Sequence, residues 1–233
     1  MRLLAVDTST EYCSAALIGA RGNDALRCAL AERSHADLLL PMIDELLSAA
    51  RWQVGDLDGL AFGRGPGGFT GLRLAAGVVQ GLAFASGLRV AAVSSLEAVA
   101  WRVPGHAGQP VLVCNDARMG ELYVGLYTVH ADHVAALDVE RVVPPAIVAS
   151  LAGRARHAAG NGLAAQPELR EALERAGLQI HDSLYPRADA VAALALRQFA
   201  AGNTVAAGDV APVYVRDDVV KARPPGARVT RMS

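Results

Sequence analysis

The sequence has 233 residues and a mass of 24.2 kDa, which is enough for one large domain or two small ones around a buried core. Hydrophobic residues make up 52% and charged residues 19%, a balance that excludes a disordered polyelectrolyte. Lys+Arg 22 against Asp+Glu 23 leaves a net charge of −1, which disfavours a protein that binds nucleic acid unaided.

No segment is predicted to cross a membrane, although the mean hydropathy is +0.27. The longest apolar stretch, 74–88, includes Gln80, Ser86 and three glycines and is shorter than the roughly 20 residues that a span needs. Asp7 interrupts the apolar start of the chain too early for a signal peptide, so we expect a cytoplasmic protein. Three scattered cysteines predict neither a disulfide framework nor a zinc site.

Hydrophobic periodicity predicts the element order βββαβαβα twice along the chain. The first half has strands at 3–7, 13–18, 25–32, 60–63 and 89–93, and helices at 34–51, 71–86 and 95–102. The second half has strands at 111–115, 122–127, 134–142, 156–159 and 179–181, with helices at 145–151, before 177 and at 188–201. Ser34 is the expected cap of the first helix, and Pro41 is expected to bend or break it.

A Pro/Gly-rich stretch around 104–110 is the one predicted domain boundary. We therefore expect an α/β protein with an N-terminal domain at 1–104 and a C-terminal domain at 105–215. The last helix of the second domain is a candidate to pack back on the first. Residues 216–233 have the composition of a mobile, mildly basic tail.

The most informative segment is Gly65-Pro66-Gly67-Gly68-Phe69-Thr70-Gly71, called the GPGGFTG loop below. Its glycines permit close backbone approach, and Thr70 is expected to cap the following helix. Backbone N–H groups at a helix start can bind an anion. Candidate residues for such a site are Gly65, Gly67, Gly68, Thr70 and Arg73. A tight strand-to-helix turn without a ligand explains the loop equally well, and the Walker A and Rossmann spacings are absent.

The helix after the loop is rich in Ala and Gly and apolar on nearly all sides. Such a helix is either fully buried or packs against another subunit. Burial is the usual outcome, but one face of a helix in a two-layer domain should meet water. A partner surface therefore remains a second interpretation.

A carboxylate ends the first strand of each half, where α/β sheets place ligands. Asp7 is followed by Thr8 and Ser9, and Asp116 is followed closely by Arg118. The Asp7 segment could hold a metal-bound phosphate or form a turn, and Asp116 and Arg118 could pair within a hairpin turn. We favour the turn in both places. The six histidines suggest no site, and neither a nucleophile elbow nor a Ser/His/Asp set is visible.

The duplicated element order resembles the actin-like superfamily (ASKHA, ribonuclease H-like), whose two βββαβαβα domains face each other across a nucleotide cleft. Within it, the chain resembles the TsaB (YeaZ) family. The matching segments are 4–9, His35 with Leu40-Pro41, the GPGGFTG loop with Leu72-Arg73, 116–118 and 212–216. The loop with its arginine is the specific element, and the others are supportive.

The resemblance implies a dimerisation subunit of the bacterial tRNA threonylcarbamoyladenosine machinery. Such a subunit works with TsaD and the ATPase TsaE to transfer threonylcarbamoyl from its adenylate to N6 of the adenosine 3′ of the anticodon. TsaD carries a metal on a His-x-x-x-His pair, whereas here His35 is followed four residues later by Leu39. We therefore expect no catalytic residue, metal or cofactor in this chain, and ATP and a metal in its partners.

The resemblance also implies where partners bind. TsaD, or a second copy of the chain in a homodimer, would pack on the two helices of the N-terminal domain, and tRNA would be contacted mainly through the complex. The expected contact residues are Leu38, Leu39, Met42, Leu72, Ala75, Ala76, Val79, Leu82 and Ala83. Asp7, Thr8, Ser9, Asp116 and Arg118 would line a relic nucleotide cleft.

Two other functions remain open. A stand-alone actin-like ATPase or sugar kinase would need glycine-rich phosphate loops in both halves, and Asp7 to Thr10 contains no glycine. Gly160-Asn161-Gly162 is either a relic of a nucleotide loop or a helix cap. A metallopeptidase-like activity is the less favoured alternative, because the sequence shows no metal-binding pair or nucleophile set.

Overall fold

The computed structural model describes residues 1–19, 24–31, 35–105 and 108–215. The expected Ser34 cap and the expected tail at 216–233 lie outside these described residues. Within them the chain forms two mixed β-sheets, and each sheet has the same internal strand order.

The first sheet is built from strands in the order β3-β2-β1-β4-β5. Strands β1, β2 and β3 are antiparallel, whereas β1, β4 and β5 run parallel. The elements of this half are β1 (Leu3–Asp7), β2 (Tyr12–Ile18), β3 (Ala25–Leu30), α1 (His35–Ala50), β4 (Gly59–Gly65), α2 (Phe69–Ser86), β5 (Val90–Ser94) and α3 (Ser95–Trp101).

The second sheet has the order β11-β10-β6-β7-β8, and a further short strand, β9, also pairs with β7. Its elements are β6 (Pro110–Asp116), β7 (Leu122–Val129), β8 (Val134–Ala136), β9 (Arg141–Val143), α4 (Pro145–Ser150), β10 (His157–Ala159), α5 (Gly162–Ala165), α6 (Pro167–Arg175), β11 (Gln179–His181) and α7 (Ala188–Ala200). The antiparallel and parallel pairings match those of the first sheet. The predicted duplication of the element order is confirmed.

Two sequence predictions were wrong in detail. The single strand expected at 134–142 is divided into β8 and β9. Between them the Val139 N–H donates a hydrogen bond to the Asp138 carboxylate and not to a neighbouring strand. The helix expected to end near 177 is divided into α5 and α6. Pro167 has no N–H for a continuing helix and begins α6 instead.

Of the two outcomes expected at Pro41, a bend or a break, the break does not occur, because helix α1 continues through this residue. Pro41 and Asp37 are both exposed. Because Pro41 has no N–H, the Asp37 carbonyl lacks the hydrogen bond that it would normally accept from the residue four positions later. That carbonyl lies on the exposed side of the helix, where water can replace the missing N–H. The apolar stripe on the other side of α1 therefore stays in register with the core.

The two halves exchange helices across their junction. α1 and α2 cover one face of the first sheet, and α7, from the second half of the chain, covers its other face. In return α3, from the first half, packs against β6 and β7 of the second sheet, whose outer face is covered by α4, α5 and α6. Each half thus completes the core of the other.

Helix α2 is the one described helix that is long and apolar enough to cross a membrane. Its 18 residues include six that are buried against the first sheet. This one-sided burial is typical of an amphipathic helix in a globular protein.

Candidate functional site

A cleft lies where the two sheets meet, at the carboxyl ends of β1 and β6. Its volume is about 530 Å³, and it is lined by residues that follow both strands, by the GPGGFTG loop and by the start of α1. Ligands of α/β proteins bind at this edge of a sheet, so the cleft is the candidate functional site.

Asp7 lies fully buried beneath the cleft. Its Oδ1 accepts hydrogen bonds from the Ser9 N–H at 3.0 Å and the Ser9 hydroxyl at 2.8 Å, and its Oδ2 accepts one from the Ser95 hydroxyl at 3.4 Å. Burial raises the pKa of Asp7 from 3.8 to about 6, although these hydrogen bonds oppose the rise. The three donors are neutral, so the carboxylate is buried without a cationic partner among them.

The GPGGFTG loop packs directly on the backbone that leaves β1. The Gly68 N–H donates to the Ser9 carbonyl at 2.7 Å, and the Thr8 hydroxyl donates to the Gly71 carbonyl at 2.7 Å. A Cβ on Gly71 would lie 1.9 Å from the Thr8 carbonyl oxygen, and one on Gly67 would lie 2.3 Å from the Ser9 carbonyl oxygen. These glycines are therefore required by close backbone approach, which does not depend on a ligand.

Thr70 does not cap α2 as expected. The N-cap position is Gly68, which has no side chain to donate or accept, and Thr70 lies inside the first turn with its side chain exposed. The helix begins earlier than predicted because the contact of Gly68 with Ser9 places the first turn against β1.

Asp116 and Arg118 form a local turn at the other side of the cleft. Asp116 Oδ1 accepts the Arg118 N–H at 2.8 Å, and its Oδ2 pairs with the Arg118 guanidinium at 3.0 Å. The Asn161 Oδ1 accepts the Asp116 N–H at 3.1 Å, and its Nδ2 donates to both Glu11 carboxylate oxygens, at 3.1 and 3.2 Å. Asn161 therefore joins the two halves across the cleft.

His35 is also bound within the chain, because its Nε2 lies 2.8 Å from the Thr10 carbonyl oxygen and donates to it. Leu39, four residues further along α1, is buried in the core. Among the described residues, no group of three or more His, Cys, Asp and Glu side chains is arranged to hold a metal ion.

Arg73 connects the start of α2 to the end of the described chain. Its guanidinium carbon lies 3.7 Å from the Phe69 ring centroid, and its Nε donates to the Tyr214 hydroxyl at 3.1 Å. The Val213 N–H donates to the Arg64 carbonyl at 2.7 Å. The segment around Tyr214 is thus fixed against the GPGGFTG loop.

Most of the expected partner-binding residues are in the core, so the expectation that a partner contacts them on an exposed surface was wrong. Seven of them, two on α1 and five on α2, are buried in the core: Leu39, Met42, Leu72, Ala75, Ala76, Val79 and Ala83. Leu38 and Leu82 are half-buried against the same core.

A different face of α2 is open to solvent. It carries Gly77 and Gly81, where an added Cβ would meet no atom within 4 Å, the half-buried Val78, and Phe84, which is 84% exposed. Leu40 of α1 is 54% exposed on the neighbouring helix. We call this set the α2 outer face. Phe84 is the most exposed large hydrophobic residue in the part of the chain that the structure describes.

Several residues of the site were missed by the sequence reasoning. Glu11, Asn161 and Tyr123 connect parts of the chain 56 to 150 residues apart, the last through a hydrogen bond from its hydroxyl to the Gly67 carbonyl at 3.2 Å. Glu140 accepts hydrogen bonds from the hydroxyls of Ser94, in the first sheet, and Tyr127. No local spacing marks such residues, because each partner comes from another element.

The chain is similar to known proteins over nearly its whole length. The family model described as TsaD, tRNA N6-adenosine threonylcarbamoyltransferase, matches residues 28–166. The protein named tRNA threonylcarbamoyladenosine biosynthesis protein TsaB in Escherichia coli K12 is 37% identical, and the match covers 97% of this chain and 99% of that protein. The TsaB protein of Haemophilus influenzae is 35% identical, with 97% and 98% covered.

Two solved structures from Pseudomonas aeruginosa resemble the fold closely. One, described as YeaZ, has a TM-score of 0.77 at 36% identity and covers 91% of this chain and 99% of that chain. The other, described as an uncharacterized protein with similarity to peptidase YEAZ, has a TM-score of 0.83 at 40% identity and covers 92% and 99%.

The duplicated sheets, the exchanged helices and the cleft between β1 and β6 define an actin-like α/β protein. The chain belongs to the family that the matching model describes and, within it, to TsaB (YeaZ). The resemblance stated from the sequence is confirmed.

Replacing Asp7 by Asn should change how stability depends on pH. The folded chain binds the Asp7 proton more tightly than the unfolded chain, so the free energy of unfolding falls as pH rises from about 4 to about 6. Asp7→Asn keeps an acceptor for Ser9 and removes this fall. It should be more stable at pH 7 by on the order of 2–3 kcal/mol. Urea unfolding across this pH range measures the difference, with the exposed Asp44→Asn on α1 as control. Parallel profiles for Asp7→Asn and wild type would contradict the assignment.

Replacing Gly71 by Ala should destabilise the protein by about 2–3 kcal/mol, since the new Cβ must displace the Thr8 backbone. Gly77→Ala, on the same helix with no atom near the new Cβ, is the matched control. It should stabilise the protein by about 0.5–1 kcal/mol through helix propensity. Thermal and urea unfolding of both variants check the pair, and equal stabilities would refute the close-contact explanation.

Proposed function

We propose that this protein is a non-catalytic scaffold and activator subunit in tRNA threonylcarbamoyladenosine biosynthesis. It binds TsaD and TsaE in the cytoplasm for transfer of threonylcarbamoyl from its adenylate to the adenosine 3′ of the anticodon. Membership of the TsaB family supports the pathway. The α2 outer face is the observation that supports a scaffold role.

The α2 outer face supplies what a helix-on-helix interface requires. Gly77 and Gly81 lie one turn apart on the same side of α2, so the backbone of a partner helix can approach closely there. Phe84 then offers a large apolar side chain to the partner, and its burial would contribute roughly 1.5–3 kcal/mol. TsaD is the proposed partner in the complex, and a second copy of the chain is the proposed partner when the protein is alone.

The cleft supports the proposal that the chemistry belongs to the partners. Asp116 is paired with Arg118, the Glu11 carboxylate is held by Asn161, and the His35 ring is held by a backbone carbonyl. These groups are engaged in holding the two halves and their turns together. We propose that ATP and a metal are used by partner subunits and that tRNA is contacted mainly through the assembled complex.

Gly77→Arg should prevent TsaD from binding while leaving the protein folded. The long cation would occupy the open space on the α2 outer face and leave a charge in an apolar interface, which should weaken binding at least roughly tenfold. Co-purification and calorimetry with TsaD measure this. Arginine at Ala76 or Val79 would instead test folding, since both side chains are buried.

The control for Gly77→Arg is Ala200→Arg, at the exposed end of α7. It adds the same side chain at a helix C-terminus, where a cation is tolerated, and should bind TsaD like wild type. If Gly77→Arg has the circular dichroism spectrum of wild type and binds TsaD equally well, the proposed interface is refuted. The proposed role in the pathway would not be contradicted by that result.

Omitting the protein tests the function itself. TsaD, TsaE, tRNA, ATP and threonylcarbamoyl-adenylate should modify tRNA at a strongly reduced rate without this chain and regain activity when it is added. Mass spectrometry of digested tRNA quantifies the modified adenosine. Full modification in its absence would overturn the proposal, as would tight ATP binding and turnover by the isolated chain.

A further inference from the structure

A polar cluster joins the two sheets at the start of α3, outside the residues that line the cleft. Its central residue is Glu140, which lies just before β9. The Glu140 Oε1 accepts hydrogen bonds from the hydroxyls of Ser94, at the end of β5, and Tyr127, on β7, the second at 2.7 Å. Ser94 and Tyr127 are fully buried, and the Glu140 side chain is 12% exposed. A carboxylate that connects the halves is therefore held largely out of water.

A second carboxyl group, that of Glu97, lies at the same place. Ser94 is the N-cap of α3, and its hydroxyl accepts the N–H of Leu96 at 3.1 Å and of Glu97 at 3.4 Å. In return the Glu97 carboxylate accepts a hydrogen bond from the Ser94 backbone, which is the arrangement of a capping box. Ser94 therefore contacts Glu97 on one side and Glu140 on the other.

One cation faces these two carboxyl groups. The Arg64 Nη2, at the end of β4, lies 3.7 Å from the Glu140 Oε2, and the Arg64 charge also acts on Glu97. The titratable groups that face Glu97 are thus Glu140, Arg64 and the Tyr127 hydroxyl. When both carboxyl groups are ionised, the cluster has one negative charge in excess, and like charges repel strongly where water is scarce. When Glu97 is protonated, the Glu140 carboxylate and the Arg64 guanidinium balance each other.

The surroundings favour the protonated form of Glu97. Burial raises the pKa of Glu97 above its ordinary value of 4.5, the Glu140 charge raises it further, and Arg64 and the Ser94 N–H oppose the rise. The folded chain therefore holds this proton more tightly than the unfolded chain does. The resulting stabilisation is complete below about pH 4.5 and is lost as the pH rises through the raised pKa.

The backbone around the cluster transmits changes in it to other parts of the fold. A Cβ on Gly125 would lie 2.4 Å from the Tyr127 hydroxyl oxygen, so the absence of a side chain there leaves room for this hydroxyl beside Glu140. The Arg64 carbonyl accepts the Val213 N–H at 2.7 Å, which ties the cluster to the last described segment of the chain. A change in the charge of the cluster therefore acts on both sheets and on that segment.

We propose that Glu97, Glu140 and Arg64 form a proton-sensitive joint between the two halves. With Glu97 protonated, Glu140 is held by Ser94, Tyr127 and Arg64, and the joint is closed. With Glu97 ionised, repulsion between the two carboxylates weakens the hold on Glu140, and the β9 side of the second half separates more often from β5. The joint needs neither a ligand nor a partner subunit, so it is independent of the proposed scaffold function.

The first test compares Glu97→Gln with its parent in an Asp7→Asn background, which removes the other buried carboxyl group whose pKa is raised. Urea unfolding between about pH 5 and about pH 8 should show a free energy of unfolding that falls with pH in the parent. The fall should be shallower in Glu97→Gln, because glutamine keeps the shape of the side chain and carries no charge. Glu168→Gln, at an exposed position of α6, is the control and should follow the parent.

Hydrogen exchange measured by mass spectrometry, corrected for the intrinsic effect of pH, locates the change. In the parent, β9 and residues 137–140 should exchange at least about threefold faster at the higher pH, the change expected for half a pKa unit. Glu97→Gln should remove most of this difference. Glu140→Gln should remove it as well, since Glu97 then faces Arg64 without a second carboxylate.

Equal pH profiles for Glu97→Gln and its parent would overturn the proposal. So would a shallower profile with unchanged exchange in β9, because Glu97 would then titrate without opening the joint. A pH-dependent exchange in β9 that persists in both Glu97→Gln and Glu140→Gln would also refute it. The measurements use the full chain alone, so their failure leaves the proposed scaffold function standing.

Discussion

The GPGGFTG loop packs closely on the residues after β1, and this contact fixes the surroundings of Asp7, the cleft and the start of α2. Gly71 and Gly67 bring the loop against the Thr8–Ser9 backbone, and hydrogen bonds in both directions hold it there. The contact closes Asp7 off from water, forms one wall of the cleft and sets where α2 begins. A side chain at Gly71 would disturb all three, since they share one backbone segment.

The orientation of α2 follows from that contact and gives the helix two roles. Its small residues face the strands, because Ala75, Ala76 and Ala83 allow the helix axis to approach the sheet closely. Gly77, Gly81 and Phe84 consequently point outward. The buried alanines of this helix pack in the core, and its exposed glycines lie on the surface that we propose for a partner.

The second half of the chain stabilises the first from two directions. Helix α7 fills the face of the first sheet that α1 and α2 leave open, and the segment around Tyr214 is tied to the GPGGFTG loop through Arg64 and Arg73. The cleft, and the cavity between the GPGGFTG loop and Tyr214, therefore exist only when both halves are folded together. Glu11 and Asn161 add a direct polar connection between them.

The sequence predicts the α/β class, the repeated element order and the position of the GPGGFTG loop, because hydrophobic periodicity and glycine spacing are local properties of the chain. It also located Asp7 and Asp116 at the ends of equivalent strands. It did not show that most of the expected contact residues on α1 and α2 are buried in the core, since the sequence pattern of apolar residues is the same whether a sheet or another protein covers them. Tertiary packing places Ala76 inward and Gly77 outward, and it brings Phe69, Tyr123 and Tyr214 around one cavity. Those choices depend on the exchange of α3 and α7 and on contacts between residues far apart in the chain, which no local pattern encodes.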